Sequence, residues 1–343
     1  MKFSLKTAVV ALAGLAFAAT AAMAADISGA GATFPFPIYA KWASVYKGTS
    51  GIGLNYQSIG SGGGIAQIKA KTVTFGATDA PLTKAQLDAA GLAQFPTVIG
   101  GVVPVINVKG IAAGQLVLDG ATLAKIYQGQ IARWDDAAIK KLNPGLNLPG
   151  QAIAVVHRSD GSGTSFIFTT FLSRVSGDWK ANVGAATSVD WPVGIGAKGN
   201  EGVAGNVAQT AGAIGYVEYA YAKQNHLTSI KMINKNGKTV APTVDAFRAA
   251  ASGADWTSAA GNGFFIILVD QPGDASWPIT ATTYILVYKQ PSDPAATAEV
   301  LKFFKWAYAS GDQLALGLDY VPLPDNAVGA IQGSWKQIQG SGM

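Results

Sequence analysis

The sequence of 343 residues has no cysteine, only two histidines and few charges, with Asp, Glu, Lys and Arg together making 13%. Without cysteine there are no disulfides, so stability rests on packing even in an exported chain. A bacterial lipoprotein would also need a cysteine at its cleavage point. His157 and His226 lie far apart in the chain, which speaks against a zinc cluster or a serine triad. The formal charge of +5 falls to +3 once Lys2 and Lys6 are set aside. What remains is scattered, as in RWDDAAIKKL, and a nucleic-acid surface would need a basic cluster.

Long apolar runs are missing after the start of the chain. The opening MKFSLKTAVVALAGLAFAATAAMAAD has Lys2 and Lys6, an apolar core from Thr7 to Ala18, and the small-x-small site Ala22-Met23-Ala24. This is the pattern of a secretory signal peptide over residues 1–24, with cleavage between Ala24 and Ala25. Its core is shorter than the ~20 residues that a membrane span needs. An exported chain with no anchor is best retained between two membranes, so the periplasm is the expected compartment. Some 319 residues are left, enough for about two domains.

Within them, strand-like and helix-like segments alternate, which implies an α/β protein with crossover connections. GIGLNYQSIG reads as a strand, followed by a turn-rich SGGG and a short helix IAQIKAK. TVTFGATD is a second strand. PIYAKWASVY places Ile38, Trp42 and Val45 at helical spacing after Pro37. LTKAQLDAAG reads as a helix capped by Thr83 and stopped at Gly91, and Asn236-Gly237 as a hairpin turn. Two apolar strands, 97–108 and 278–289, are each long enough to run from one domain into another. If both cross, the ends of the chain form one domain and its middle the other. The alternative is two ordinary buried strands.

The densest chemistry lies in HRSDGSGTSF, residues 157–166, between an apolar strand and a helix. Arg158 is permanently charged and can fork two hydrogen bonds to an oxyanion. Ser162, Gly163, Thr164 and Ser165 would form the first helical turn after Asp160 or Gly161, where free N–H groups favour an anion. The plainer reading is a capped helix with Arg158 paired to Asp160, and Asp160 fits both by steering the guanidinium. GSGGG at 60–64 puts Ser61 and glycines at another strand-to-helix turn. GAGATFPFP puts Thr33 at a helix start and lets Phe34 present its N–H. Asp79, in FGATDAP, reads by itself as a turn aspartate.

Several enzymatic readings fail. NGKT at 236–239 imitates the end of a Walker loop, but position 232 is Met where glycine is required. The G-x-S-x-G elbow is absent around Ser61, Ser162 and Ser165. DGSGT resembles the D-x-D-x-T of aspartyl phosphatases but has Ser162 where the second, acid–base Asp should stand.

The stretches GAGATFPFPIYAKW, NYQSIGSGGG, FGATDAPL, FPTVIGGVV, RSDGSGTSF and GAIGYVEYAYA together resemble the periplasmic phosphate-binding proteins of high-affinity phosphate ABC transporters. They span essentially the whole chain after the signal. Gly62 and Thr78 depart from the pattern, where serine would be expected. The resemblance implies a type II periplasmic binding fold: two α/β lobes with discontinuous domains joined by a two-strand hinge. Residues 25–103 and 280–343 would form lobe I and residues 104–279 lobe II. It also implies that Thr33, Phe34, Ser61 and Asp79 meet phosphate from lobe I, and Arg158, Ser162, Gly163 and Thr164 from lobe II, with Asp160 supporting. Asp79 then has a use, since a carboxylate tolerates an anion that brings a proton and repels one that brings none. The expected activity is capture of inorganic phosphate and delivery to membrane permease subunits with their cytoplasmic ATPase subunits. No catalysis, cofactor, metal or nucleic acid is expected, and the protein should be monomeric. A phosphohydrolase using the same cradle, or a receptor for another protonated oxyanion such as arsenate, are the alternatives.

Overall fold

The computed structural model describes residues 26–342, so the expected signal peptide and its cleavage site lie outside the described residues. Twelve strands run in chain order: β1 (Ile27–Gly31), β2 (Leu54–Ser58), β3 (Phe75–Thr78), β4 (Leu92–Asn107), β5 (Val117–Leu118) and β6 (Ala154–Arg158) come first. β7 (Ile195–Ala197), β8 (Ala213–Glu218), β9 (Thr228–Ser229), β10 (Lys231–Ile233), β11 (Thr239–Val240) and β12 (Thr280–Tyr288) follow. The main sheet has the order β2-β1-β3-β12-β4-β8-β6-β7, with β9 added on β4; β11, β10 and β5 form a small second sheet. This is the mixed α/β architecture expected of type II periplasmic binding proteins, with β4 linking the two halves of the main sheet.

β4 is in strand pairing on both sides of that meeting. Leu92–Gly101 pairs antiparallel with β12, and Val102–Asn107 pairs antiparallel with β8. Fifteen of its sixteen residues are buried, which a strand covered on both faces requires. β12 begins at the same level, Thr280 opposite Gly101. Just before it, Ile279 O accepts from Val102 N at 2.8 Å, and Trp277 Nε1 donates to Val102 O at 2.9 Å. The chain thus passes between the two halves of the sheet at Gly101–Val102 and again at Ile279–Thr280.

The parallel strands β1, β2 and β3 on one side, and β6, β7 and β8 on the other, send their carboxyl ends towards a common crevice. Ligands bind there in open α/β sheets. Local structure differs from the sequence expectations in three places. The helix Phe36–Ser50 buries Ile38, Tyr39, Trp42 and Tyr46, while Val45 is only half-buried, because its stripe follows i, i+4 spacing from Ile38. Thr33 lies three residues before the start of that helix instead of starting it. The glycines of SGGG are helical, within Ser61–Lys69. A Cβ on Gly64 would come within 2.5 Å of Gly31 Cα and 2.6 Å of Ala77 O. Close packing of this helix on β1 and β3 offsets the cost of glycine in a helix, about 1 kcal/mol each. Thr83 caps its helix in a reciprocal box with Gln86, and Gly91 ends it in a left-handed turn, as the sequence predicts. No helix among the described residues is long and apolar enough to cross a membrane.

Candidate functional site

The residues singled out for the anion site follow or end parallel strands: Thr33 and Phe34 after β1, Ser61 after β2, Asp79 after β3, and Arg158 to Thr164 at and after the end of β6. β6 ends in Arg158, whose side chain is 1% exposed. Its Nε donates to Asp160 Oδ1 at 2.7 Å and its Nη2 to Asp160 Oδ2 at 2.5 Å. Gly199 N also donates to Asp160 Oδ1, at 3.1 Å. The remaining nitrogen, Arg158 Nη1, is buried and has no hydrogen-bond partner among the described residues. Burial would raise the Asp160 pKa, but hydrogen bonds and charge from Arg158 and the Gly199 N–H outweigh it and hold the carboxyl below its ordinary range. Asp160 therefore fixes the fork and leaves one donor edge of it unpaired.

Ser162 is the cap of the helix Gly163–Val175, not part of its first turn, because its Oγ accepts from Ser165 N at 3.0 Å. The helix starts at Gly163, whose N–H donates to Ser61 Oγ at 3.1 Å. Thr164 comes next, where the helix ladder offers an N–H no acceptor. Gly163 is required by contact: a Cβ would meet both Asp79 Oδ2 and Ser61 Oγ at 2.5 Å. The two walls touch here with no room for a methyl group.

On the facing wall, Ser61 Oγ accepts from Asp79 N at 3.1 Å and approaches Asp79 Oδ2 at 3.4 Å. Asp79 is 2% exposed, and its Oδ1 is buried without a hydrogen-bond partner among the described residues. Burial pushes its pKa up to about 7, against the opposing pull of Thr283, Arg158 and Ser61. Near neutrality this carboxyl is therefore poised between donor and acceptor. A buried polar atom with no partner calls for an explanation. Asp79 Oδ1, able to accept or donate, and Arg158 Nη1, able only to donate, are two such atoms here, with Thr283 Oγ1 and Glu218 Oε1 also unpartnered nearby among the described residues.

Thr33 and Phe34 complete this wall. Thr33 Oγ1 accepts from Asn200 Nδ2 at 2.6 Å and Asn200 N at 3.2 Å. Phe34 puts its ring in the core and its carbonyl under the Tyr320 hydroxyl, at 2.7 Å, so only its backbone can serve the site. Of the two departures from the family pattern, Thr78 uses its hydroxyl locally, donating to Ala80 O and accepting from Ala80 N. Gly62 donates its N–H to Gly161 O at 2.8 Å, across the crevice.

Sequence reasoning missed four residues that join the walls. Asn200 Nδ2 bridges Thr33 Oγ1 and Thr164 Oγ1, the latter at 3.1 Å. Tyr221 donates to Thr33 O at 2.7 Å. Tyr320 lies within hydrogen-bond distance of both Phe34 O and Glu218 Oε2. Glu218 is fully buried, and burial pushes its pKa well above the ordinary carboxylate range. A signal existed for Asn200: AKGNEG follows a strand and opens a helix, as RSDGSGTSF and GSGGG do.

Residues 17–310 match the model of the PBP superfamily domain. The phosphate-binding protein PstS of Pasteurella multocida is 54% identical over 313 residues, which cover 91% of this chain and 90% of the relative. PstS of Haemophilus influenzae is 53% identical over 315 residues, covering 92% and 94%. PstS of Methanocaldococcus jannaschii is 36% identical, covering 86% and 82%. Among solved structures, a high-affinity periplasmic phosphate-binding protein (PfluDING) bound with phosphate superposes with a TM-score of 0.72 at 22% identity. That match covers 90% of this chain and 93% of the other. A phosphate-binding protein from Stenotrophomonas maltophilia, at the same identity and coverage, gives 0.65. The fold is shared with both.

Proposed function

Because the chain belongs to the PBP superfamily and, within it, to the family of the phosphate-binding proteins PstS, we propose that it captures inorganic phosphate and hands it to an ABC importer. The observation that carries this reading is the pair of unpartnered buried atoms, Asp79 Oδ1 and Arg158 Nη1, flanked by Ser61, Thr33, Thr164 and a helix N-terminus. Together they offer several donors and one carboxyl oxygen. That set suits an oxyanion bearing both negative charge and a proton. Phosphate near neutrality keeps at least one proton, its second pKa being about 6 in esters, whereas sulfate keeps none. A fixed acceptor in an otherwise donor-rich site raises the energy of the wrong anion, and specificity is such a difference.

The division of labour follows the two chain crossings. Residues 25–103 and 280–343 would form lobe I, supplying Thr33, Phe34, Ser61 and Asp79. Residues 104–279 would form lobe II, supplying Arg158, Ser162, Gly163 and Thr164, with Asp160 behind them. The reading includes export to the periplasm, a monomeric protein, and membrane permease subunits with cytoplasmic ATPase subunits as partners. It includes no turnover. Asp160, the residue that a phosphatase would use as nucleophile, has Oδ1 shared by two donors and Oδ2 held by Arg158.

Equilibrium binding of radiolabelled phosphate with sulfate as competitor tests the proposal. Saturable binding that equimolar sulfate leaves intact is the expected result. Absence of phosphate binding, or steady hydrolysis of an aryl phosphate that co-purifies with the protein, would overturn it.

A further inference from the structure

Asn200 touches both walls, and the direction of its hydrogen bonds is fixed by its neighbours. Glu218 N donates to Asn200 Oδ1 at 2.8 Å. A backbone N–H can only donate, so the oxygen of the amide must lie on that side. The Nδ2 end then faces the two threonines, at 2.6 Å from Thr33 Oγ1 and 3.1 Å from Thr164 Oγ1. Asn200's own N–H, a second obligatory donor, points at Thr33 Oγ1 from 3.2 Å. A hydroxyl oxygen has two lone pairs and one hydrogen. Thr33 Oγ1 therefore has both lone pairs engaged by Asn200, and its hydrogen is all it has left to offer. Thr164 Oγ1 has one lone pair engaged in the same way. Asn200, Thr33 and Thr164 are each at most 2% exposed, so water does not compete for these bonds.

Resting on the phosphate reading above, we propose that Asn200 is a positioning residue that sets the polarity of the anion site. By donating twice to Thr33 it leaves that hydroxyl only its hydrogen to present, and by occupying one lone pair of Thr164 it biases the second hydroxyl the same way; a phosphate oxygen is an acceptor. The same amide ties the Thr33 wall to the Thr164 wall, so that the polarity is set only when the walls meet. Without it each hydroxyl is free to turn a lone pair towards the ligand, which adds a repulsive orientation and costs order on binding.

A double-mutant cycle on phosphate affinity separates this role from plain packing. Asn200→Ala is expected to weaken phosphate binding about tenfold or more, a coupling within the range for residues in direct contact. In a Thr33→Val/Thr164→Val background the same substitution should cost less than about threefold, because no hydroxyl is left to orient. Thr33→Ser/Thr164→Ser, which keeps both hydroxyls, should restore the full cost. Thermal melts of every variant are recorded without phosphate, since a packing role would lower stability equally in all backgrounds. If Asn200→Ala does not fold, Asn200→Asp keeps the volume and the acceptor for Glu218 N. Its charge repels phosphate in every background, so only the part of its cost that vanishes with the hydroxyls counts. An equal cost with and without the hydroxyls overturns this inference while leaving the phosphate reading intact. A parent protein that binds no phosphate overturns both.

Discussion

The wall built before β4 holds a carboxyl that burial drives towards neutrality, whereas the wall built after it holds a guanidinium whose charge is permanent. Asp79 and Asp160 are chemically identical, both lie near Arg158, and their pKa values move in opposite directions. Asp160 is chelated by two guanidinium nitrogens and a backbone N–H, and so stays ionised. At Asp79 desolvation is opposed only by the Thr283 hydroxyl, the field of Arg158 and a long contact from Ser61, so desolvation wins. Under the proposed phosphate function, one carboxylate positions the cation and the other faces the ligand. Attraction would then come from the second wall and selectivity from the first, and each can be broken separately.

The largest effect is expected on the attractive wall. Arg158→Ala removes the charged donor, and hydrogen bonds to charged groups contribute roughly 1.5–3 kcal/mol net. Phosphate affinity should fall by one to two orders of magnitude in calorimetric titration. Removing one partner of a buried pair also leaves the other charge uncompensated, so the melting temperature should fall as well. Ser162→Ala loses a cap worth about 1 kcal/mol and should cost less on both counts. A larger affinity loss for Ser162→Ala would place the attraction in the helix terminus instead of the guanidinium.

Gly163→Ala tests the seam between the walls. The added Cβ would sit 2.5 Å from atoms of Asp79 and Ser61, so the walls must separate. Overpacking of this kind costs about 1–3 kcal/mol, here charged to the meeting of the walls. Phosphate binding should weaken by roughly tenfold or more, with far-ultraviolet circular dichroism unchanged. Unaltered affinity would show that the contact is slack.

How far this site could be read in advance depended on whether a residue's role was local. Arg158 and Asp160 sit on one turn, so the fork and the pair were legible from their order along the chain, whereas the cap falls on Ser162, one residue beyond the expected Asp160 or Gly161. The glycines at 62–64 were not legible as helix, because the backbone of β1 and β3 that excludes a side chain there is remote in sequence. Asn200 was legible only as a residue at a strand-to-helix turn, and its bridging role was hidden for a stronger reason. Its partners Thr33 and Thr164 come 167 and 36 positions away, and only the sheet order brings them to one amide. A lone Asn after glycine reads as a turn residue. The length of β4 showed in the sequence as an apolar run, which fitted a crossing strand and an ordinary buried one alike.

The selective wall answers to Asp79→Asn. The amide keeps the shape of the carboxyl and can donate at any pH, so an anion without a proton is no longer penalised. Sulfate should compete about tenfold better against phosphate at pH 8 than it does in the parent, a difference of about 1.4 kcal/mol. If the variant rejects sulfate as strongly as the parent does, discrimination resides elsewhere.

The smallest effect is a slope with pH. Asp79's pKa, pushed up from its ordinary value to about 7, makes the carboxyl mainly protonated below that pH and mainly ionised above it. Sulfate, with no proton to give, is accepted only by the protonated carboxyl, so its affinity should follow the protonated fraction. That fraction drops from about one half at pH 7 to about one eleventh at pH 8, and sulfate binding should weaken roughly fivefold across the same step. Phosphate keeps a proton at both values and can donate to the ionised carboxyl, so its affinity should change much less. Selectivity for phosphate should therefore rise with pH in the parent and stay flat in Asp79→Asn. Competition titrations at both pH values on both proteins decide it. Equal sulfate slopes in the two proteins would mean that a group other than Asp79 sets the pH response, and the contrast between the two carboxylates would lose its functional meaning.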